Sequence, residues 1–229
     1  SIVLYDNNGN ILTRCSDSNS YYFPKTLKTA AISLSTTSAY NAFANTPVKA
    51  VYFPNSLLSI GIGMFKNAAH LESVSFENVA TSKLSFVEEG AFENCVSLKE
   101  FIFPDYTYIV NTGVFKGCTS LVKVHLPEQS VLLESEKPGG KLTVIKEELF
   151  KGCTSLKEVN IPTTITKISD RSFEGCTSLE EIFIPKNVTT VTKTAFKGCS
   201  ALVVTIEAGT NTNKWAKGWN TDVNDVIYL

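Results

Sequence analysis

The sequence has almost no net charge and no long apolar run. Its 229 residues contain 21 Lys or Arg and 22 Asp or Glu, which gives a formal net charge of −1. Without a basic excess there is no electrostatic basis for binding nucleic acid or an anionic membrane surface, so we expect neither as a partner. No apolar stretch approaches the roughly 18 residues that a membrane-spanning helix needs. We therefore expect no membrane-spanning segment.

Residues that usually carry chemistry are also scarce or badly spaced. The two histidines, His70 and His125, have no sequence partner that suggests a catalytic triad, and we expect both to be solvated. The cysteines lack the Cys-x2-4-Cys spacing of common metal sites, and no glycine-rich phosphate loop is present. Neighbouring acidic pairs such as Glu180-Glu181 point apart on a strand or turn. The sequence therefore predicts no enzyme, no metal site and no cofactor.

What the sequence does contain is a repeat. Its anchor phenylalanines are spaced 22, 27, 23, 35, 23 and 23 residues apart, and they are Phe43, Phe65, Phe92, Phe115, Phe150, Phe173 and Phe196. The commonest spacing is 23 residues, and the longer spacings indicate insertions in one template. A fixed period of this length is typical of solenoids.

Each repeat has the same apolar positions. In one copy they are Phe150, Cys153, Leu156, Val159, Ile161, Ile165 and Ile168. The Leu-x-x-Val-x-Ile-Pro part alternates with period 2, which predicts a short strand that ends at proline. Gly or Asn before the cysteine suits a tight turn or one helical turn. Stacked units then form a parallel sheet at about 4.8 Å per rung, with continuous inward columns.

These residues resemble the BspA-type leucine-rich-repeat family, whose repeat reads roughly F-x-x-C-x-x-L-x-x-V-x-I-P. The resemblance implies an α/β fold: a right-handed solenoid with a parallel β-sheet on the concave face and short strands, turns and helical turns elsewhere. We expect one domain, 1–229, with repeats over 43–202. Residues 1–42 form an amino-terminal cap with an eroded repeat at Tyr21 to Leu27. Residues 203–229 form a carboxy-terminal cap, with Trp215 and Trp219 over the last coil.

Five of the six cysteines occupy one repeat position: Cys95, Cys118, Cys153, Cys176 and Cys199. Cysteine behaves as a small hydrophobe, so we expect a buried column. In-register neighbours have parallel Cβ vectors, which disfavours disulfides along the column. Cys15 lies outside the pattern and is either a free thiol or paired with another molecule.

The outward strand positions predict a binding surface on the concave face. Most residues there are polar, but Tyr52, Ile102 and Phe183 place large apolar groups in the same column as His125. Aromatic residues are favoured at binding centres, although single exposed apolar residues are also normal. The flanking glutamates, which include Glu158 and Glu181, give this face a negative rim that suits a basic partner.

The longest insertion is a second candidate binding site. It adds 12 residues to the template before Phe150, and its turn is Pro138-Gly139-Gly140. The flanking stretches "VLLES" and "KLTVI" predict a β-hairpin. Insertions in repeats often map to binding faces, but a tolerated surface extension is the slightly favoured explanation of this one.

We therefore expect a monomeric, non-catalytic protein-binding module that is extracellular or on a cell surface. The family resemblance implies a microbial surface protein that adheres to host or cell-surface macromolecules. Two alternatives remain open: a structural spacer that displays another domain, and a carbohydrate-binding module.

Overall fold

The computed structural model describes residues 40–128 and 140–229 in full. It also describes the backbone of three earlier strands, at 2–5, 11–15 and 29–31. The described residues from 40 onward follow a repeating path, and the strands of successive coils stack in parallel on one another, with interruptions. The predicted solenoid is confirmed.

The strands form two columns of parallel β-sheet, after an antiparallel pair, Ile2–Tyr5 (β1) and Ile11–Cys15 (β2). The first column contains Thr29–Ala31 (β3), Ala50–Phe53 (β4), Ser73–Phe76 (β6), Glu100–Ile102 (β8), Lys123–His125 (β10), Glu158–Val159 (β12), Glu181–Ile184 (β14), Val203–Ile206 (β16) and Asp225–Tyr228 (β17). The second column contains Ser59–Ile60 (β5), Phe86–Val87 (β7), Ile109–Val110 (β9), Val144–Ile145 (β11), Lys167–Ile168 (β13) and Thr190–Val191 (β15).

Hydrogen bonding is interrupted within both columns. The first column divides into β3-β4-β6, β8-β10-β12 and β14-β16-β17, and the second into β5-β7-β9 and β11-β13-β15. The second column breaks where the 35-residue spacing inserts extra chain. One break in the first column, between β6 and β8, follows the 27-residue spacing. The other, between β12 and β14, falls within a regular 23-residue spacing, so an insertion does not explain it.

The third side of each coil carries turns instead of the predicted short helical turn. Along this side, which we call the turn ridge, backbone N–H groups bond to the next coil. Phe115 donates to the Leu149 carbonyl at 3.0 Å and Gly117 to the Lys151 carbonyl at 2.8 Å. Donors used between coils cannot build a helix within one coil. Among the described residues the one helix is a 3-10 turn at Thr212–Lys214, so the α/β label fits only loosely.

Left-handed backbone closes each coil at the residue before the cysteine position. Gly152, Gly175 and Gly198 have φ of +74° to +75° there, and Asn67 and Asn94 have φ of +58° and +59°. Glycine and asparagine tolerate this conformation, which explains why both residue types occur at this position, asparagine in the earlier coils and glycine in the later ones.

The core consists of the predicted inward columns, and the phenylalanine, cysteine and leucine columns are fully buried. The seven anchor rings stack with centroid separations of 5.2 to 5.9 Å. Trp219 meets the last ring, Phe196, edge-on at 6.2 Å, and Trp215 packs on Trp219 at 4.9 Å. The indole N–H of Trp215 donates to the Val188 carbonyl at 3.2 Å. Both tryptophans therefore lie over the last coil, as predicted.

The two ends of the repeat region carry further rungs. Thr29–Ala31 pairs in parallel with Ala50–Phe53, while Tyr21 to Leu27 lies outside the described residues. At the other end, Asp225–Tyr228 pairs in parallel with Val203–Ile206, so the carboxy-terminal segment extends the sheet as well as covering the core. No helix in the described part of the chain is long and apolar enough to cross a membrane.

Candidate front-face interaction site

The outward side chains of the first column form one surface, which we call the front face. Strand register aligns Tyr52 with Ser75, His125 with Ile102, and Phe183 with Thr205 and Ile227. The column therefore follows the sequence alignment, including at Thr205, and β17 extends it by one residue.

The three large side chains predicted to project from this face are exposed. Tyr52 is 44%, Ile102 41% and Phe183 46% accessible, whereas the alternate residues in their strands point into the core. His125 and Asn160 are half-buried between them. Successive side chains of a strand point to opposite faces of the sheet, so one strand contributes residues both to the core and to the front face.

The acidic rim is partly neutralised. The Lys123 ammonium lies 2.7 Å from the Glu158 carboxylate, and this hydrogen bond raises the pKa of Lys123. Glu100 and Glu181 have no ion-pair partner among the described residues. The negative charge available to a partner is therefore at Glu100 and Glu181, on either side of the Lys123–Glu158 pair.

The front face opens between β12 and β14, and the side chain of Asn160 bonds on the opposite side of β12. Its side-chain oxygen accepts from the Leu126 N–H at 2.7 Å, and its side-chain NH2 donates to the Leu126 carbonyl at 3.0 Å. The same NH2 donates to Glu128 at 2.6 Å. These bonds tie β12 to β10, on the side away from Glu181–Ile184. Val159 is consequently half-buried, although its repeat position was predicted to be fully inward.

The opening forms a depression of about 510 Å³. Its lining includes Val159 and Ile182 at the base, with His125, Glu158, Glu181 and Phe183 among the surrounding side chains. This volume lies within the range of about 300–1,000 Å³ that ligand clefts occupy. The depression brings four predicted site residues together, whereas Tyr52 and Ile102 lie on other rungs.

The insertion before Phe150 is described only at its end. Pro138 and Gly139, with the predicted first hairpin arm, lie outside the described residues. A Cβ added at Gly140 would stand 2.7 Å from a ring carbon of Tyr108, so only glycine fits against that ring as it stands. Val144–Ile145, at the end of the predicted second arm, is a parallel rung of the second column.

The repeat cysteines are structural in their geometry. All five are buried and free of disulfides. Each thiol donates to the carbonyl of the preceding coil's anchor phenylalanine, at 3.0 to 3.2 Å. Burial raises the pKa of all five thiols, to about 12 for Cys118 and Cys199. A thiol with so high a pKa is a poor nucleophile at neutral pH. The described residues contain no group of three or more His, Cys, Asp or Glu that could hold a metal ion.

The turn ridge carries an ion-pair network that the repeat pattern did not predict. Glu148 is at its centre, 2.7 Å from the Lys116 ammonium and 3.2 Å from both Lys151 and Arg171. The bond from Lys116 lowers the pKa of Glu148. Lys151 also reaches Glu174 at 3.3 Å. Charges of both signs at one repeat position were the available clue, since Lys66, Glu93, Lys116, Lys151, Glu174 and Lys197 all follow an anchor phenylalanine.

A stacked parallel solenoid with a leucine column and an exposed strand face defines a leucine-rich-repeat protein. The model of the BspA type Leucine rich repeat region matches residues 36–137 and 128–215, with six copies. The chain belongs to this family.

Solved structures of similar fold come from bacterial leucine-rich-repeat proteins. One is a protein from Eubacterium ventriosum ATCC 27560, which is 17% identical with a TM-score of 0.51; the match covers 86% of this chain and 65% of that one. Another, from Bacteroides ovatus ATCC 8483, is 17% identical with a TM-score of 0.50, over 91% and 70% of the two chains. The chain thus spans about two thirds of these proteins. No curated protein matches the sequence.

Proposed function

We propose that this chain is a non-catalytic protein-binding module that acts outside the cell or on its surface and engages its partner through the front face. Support comes first from family membership, because repeat solenoids present extended surfaces to macromolecular partners. The single observation that carries the proposal is the exposure of Tyr52, Ile102 and Phe183 along one column of the front face, which ends at a further exposed apolar residue, Ile227.

The chemistry of this face favours a protein over a compact ligand. Large apolar side chains spaced over several rungs suit a partner that spans the sheet, and aromatic residues contribute strongly when they are buried at an interface. Glu100 and Glu181 add negative charge beside them, which selects basic partner surfaces and speeds association. We infer an adhesin-like role, in which the partner is a host or cell-surface macromolecule.

The test is binding of the purified chain to immobilised extracellular proteins and glycans. We compare it with the triple variant Tyr52→Ser, Ile102→Thr, Phe183→Ser. The matched control substitutes three exposed apolar residues outside the front column: Leu58→Thr, Ile62→Thr and Val96→Thr. Circular dichroism and thermal unfolding are used to check that each variant is folded.

A protein partner should bind the triple variant at least about 100-fold more weakly, because hot-spot side chains contribute more than about 1 kcal/mol each. The control should bind normally. Equal binding by the triple variant would refute the role of the front face. Binding confined to glycans would favour a carbohydrate-binding module, and no binding across the panel would favour a spacer.

A further inference from the structure

The break between β12 and β14 carries the depression on the front face. Its lining includes the half-buried Val159 on one strand and the buried Ile182 on the next, whereas Ile161 belongs to the core. The two strands make no ladder with each other. The depression is therefore a gap in the sheet.

Unpaired strand-edge groups line this gap. No backbone hydrogen bond joins residues 157–161 to residues 180–184, all of which the structure describes. Alternate residues of a parallel strand direct N–H and C=O to the same neighbour. The Glu158 N–H donates to the Val122 carbonyl, and the Ile184 carbonyl accepts from the Glu207 N–H, so both residues bond away from the gap. The alternate residues of each strand direct their backbone groups toward it. The backbone groups of Val159, Glu181 and Phe183 therefore face the gap.

We propose that this gap, between Glu158–Val159 and Glu181–Ile184, is a docking site for a short extended peptide segment that carries a basic side chain. The peptide pairs its own backbone with the strand-edge groups, as in recognition by strand addition. Its apolar side chains cover Val159 and Ile182. The inference deepens the proposed function, on which it rests, by naming one site on the front face and the chemistry of its occupant.

Charge and ring chemistry select the basic side chain. Glu181 and Phe183 project from the same side of β14, two residues apart, and Glu181 has no ion-pair partner among the described residues. A guanidinium that stacks on the Phe183 ring can also reach the Glu181 carboxylate. Two lysines also line the depression. The Lys123 ammonium is already held by Glu158 at 2.7 Å, and Lys157 precedes β12, on the opposite side of the gap from Glu181 and Phe183.

The probe is a capped peptide, acetyl-Val-Arg-Val-Arg-Val-amide, titrated into the isotopically labelled chain and followed by amide NMR shifts. The matched probe replaces both arginines with glutamates. We expect saturable shifts of the Val159, Glu181 and Phe183 amides with the basic peptide, and at least about tenfold weaker binding of the acidic one. Glu181→Lys should reverse that preference, while Glu100→Lys, at the same flank position on another rung, should leave it unchanged.

Val159→Phe provides the sharpest variant, because the half-buried Val159 lines the depression and a larger ring there fills it. We expect it to remain folded and to lose the peptide-induced shifts. Retained shifts in Val159→Phe, shifts confined to Asp225–Tyr228, or equal binding of both peptides would each overturn the inference. Val159→Phe leaves Tyr52, Ile102 and Phe183 in place. Capture of a partner by this variant would therefore preserve the proposed function while excluding the gap as its anchor.

Discussion

At the scale of single residues, the repeated cysteine is explained by size and by one hydrogen bond. Each thiol fills a small buried space and donates to the carbonyl of an anchor phenylalanine in the preceding coil. That carbonyl also accepts a backbone N–H of its own coil at 2.9 to 3.1 Å, so the bond gives the buried S–H a partner at an acceptor already in use. The sequence predicted the buried column from residue size and spacing. It could not predict the acceptor, because that depends on how adjacent coils are offset.

The repeat thiols should be inert in the folded protein. At pH 8 a small thiol reagent should leave the five repeat cysteines unmodified, because burial raises the pKa of Cys118 and Cys199 to about 12 and that of the other three well above its usual value. In denaturant all five should react. Peptide mapping by mass spectrometry identifies the labelled residues. Rapid native-state labelling of Cys118 would contradict a closed core.

The left-handed turn position should discriminate between asparagine and alanine. Gly175 has φ of +75°, and a Cβ there makes only ordinary contact, 3.9 Å from Gly152. The loss of stability on substitution therefore comes from backbone strain and not from a steric clash. Gly175→Ala should reduce the free energy of unfolding by about 1–2 kcal/mol, and Gly175→Asn by less, since Asn67 and Asn94 occupy this position in other coils. Chemical denaturation measures both, and equal losses would argue against the conformational explanation.

At the scale of elements, regular spacing predicted which strands exist but not whether neighbouring strands pair. The copy that begins at Phe150 matches the template completely, yet its strand makes no ladder with the next. The side chain of Asn160 in this copy bonds instead to Leu126 in the preceding coil. The repeat period predicts local structure, whereas the contact between Asn160 and Leu126 joins residues 34 positions apart. The turns that replace helical turns on the described turn ridge have a similar origin, since they depend on backbone bonds between coils.

The ion-pair network on the turn ridge should make stability depend on acidity. The pKa of Glu148 is lowered in the folded chain, chiefly by its hydrogen bond with Lys116. Its contribution is therefore fully present above the carboxyl's unfolded pKa, and it is lost as pH falls through the lower folded pKa. Glu148→Gln should reduce the free energy of unfolding at pH 7 by about 1 kcal/mol, given three exposed or partly exposed partners.

The difference between wild type and Glu148→Gln should shrink as the pH falls from about 5 to 3. Urea unfolding at several pH values measures it. Glu180→Gln, an exposed control outside the network, should show no such convergence. A pH-independent difference between Glu148→Gln and wild type would mean that packing, rather than charge, is responsible.

At the scale of the whole molecule, stacking creates a continuous core whose ends must be covered. Trp219 closes the phenylalanine stack at Phe196, so Trp219→Ala should expose that ring. We expect a loss of about 2–4 kcal/mol in the free energy of unfolding, near the lower range for removal of large aromatic groups. Solenoids transmit such losses mainly to adjacent coils. Hydrogen exchange should therefore increase in Thr190–Ile206 first, whereas the exposed control Tyr228→Ala should change little.

The sequence predicted the architecture better than the site. Inward columns, the parallel sheet and the tryptophan cover follow from burial and period, which a repeat displays many times over. The gap beside Val159 and the last rung at Asp225–Tyr228 each occur once, and no period reveals them. The roles of Tyr52, Ile102 and Phe183 remain predictions, because exposure defines an available surface and not its occupant.

The most direct test of the central claim is hydrogen–deuterium exchange of the chain with and without a partner captured in the binding panel. The account predicts protection on the strands of the first column, centred on Lys123–His125 and Glu181–Ile184, with little change along the turn ridge. Protection confined to the turn ridge or to the second column, with the front face unchanged, would contradict it.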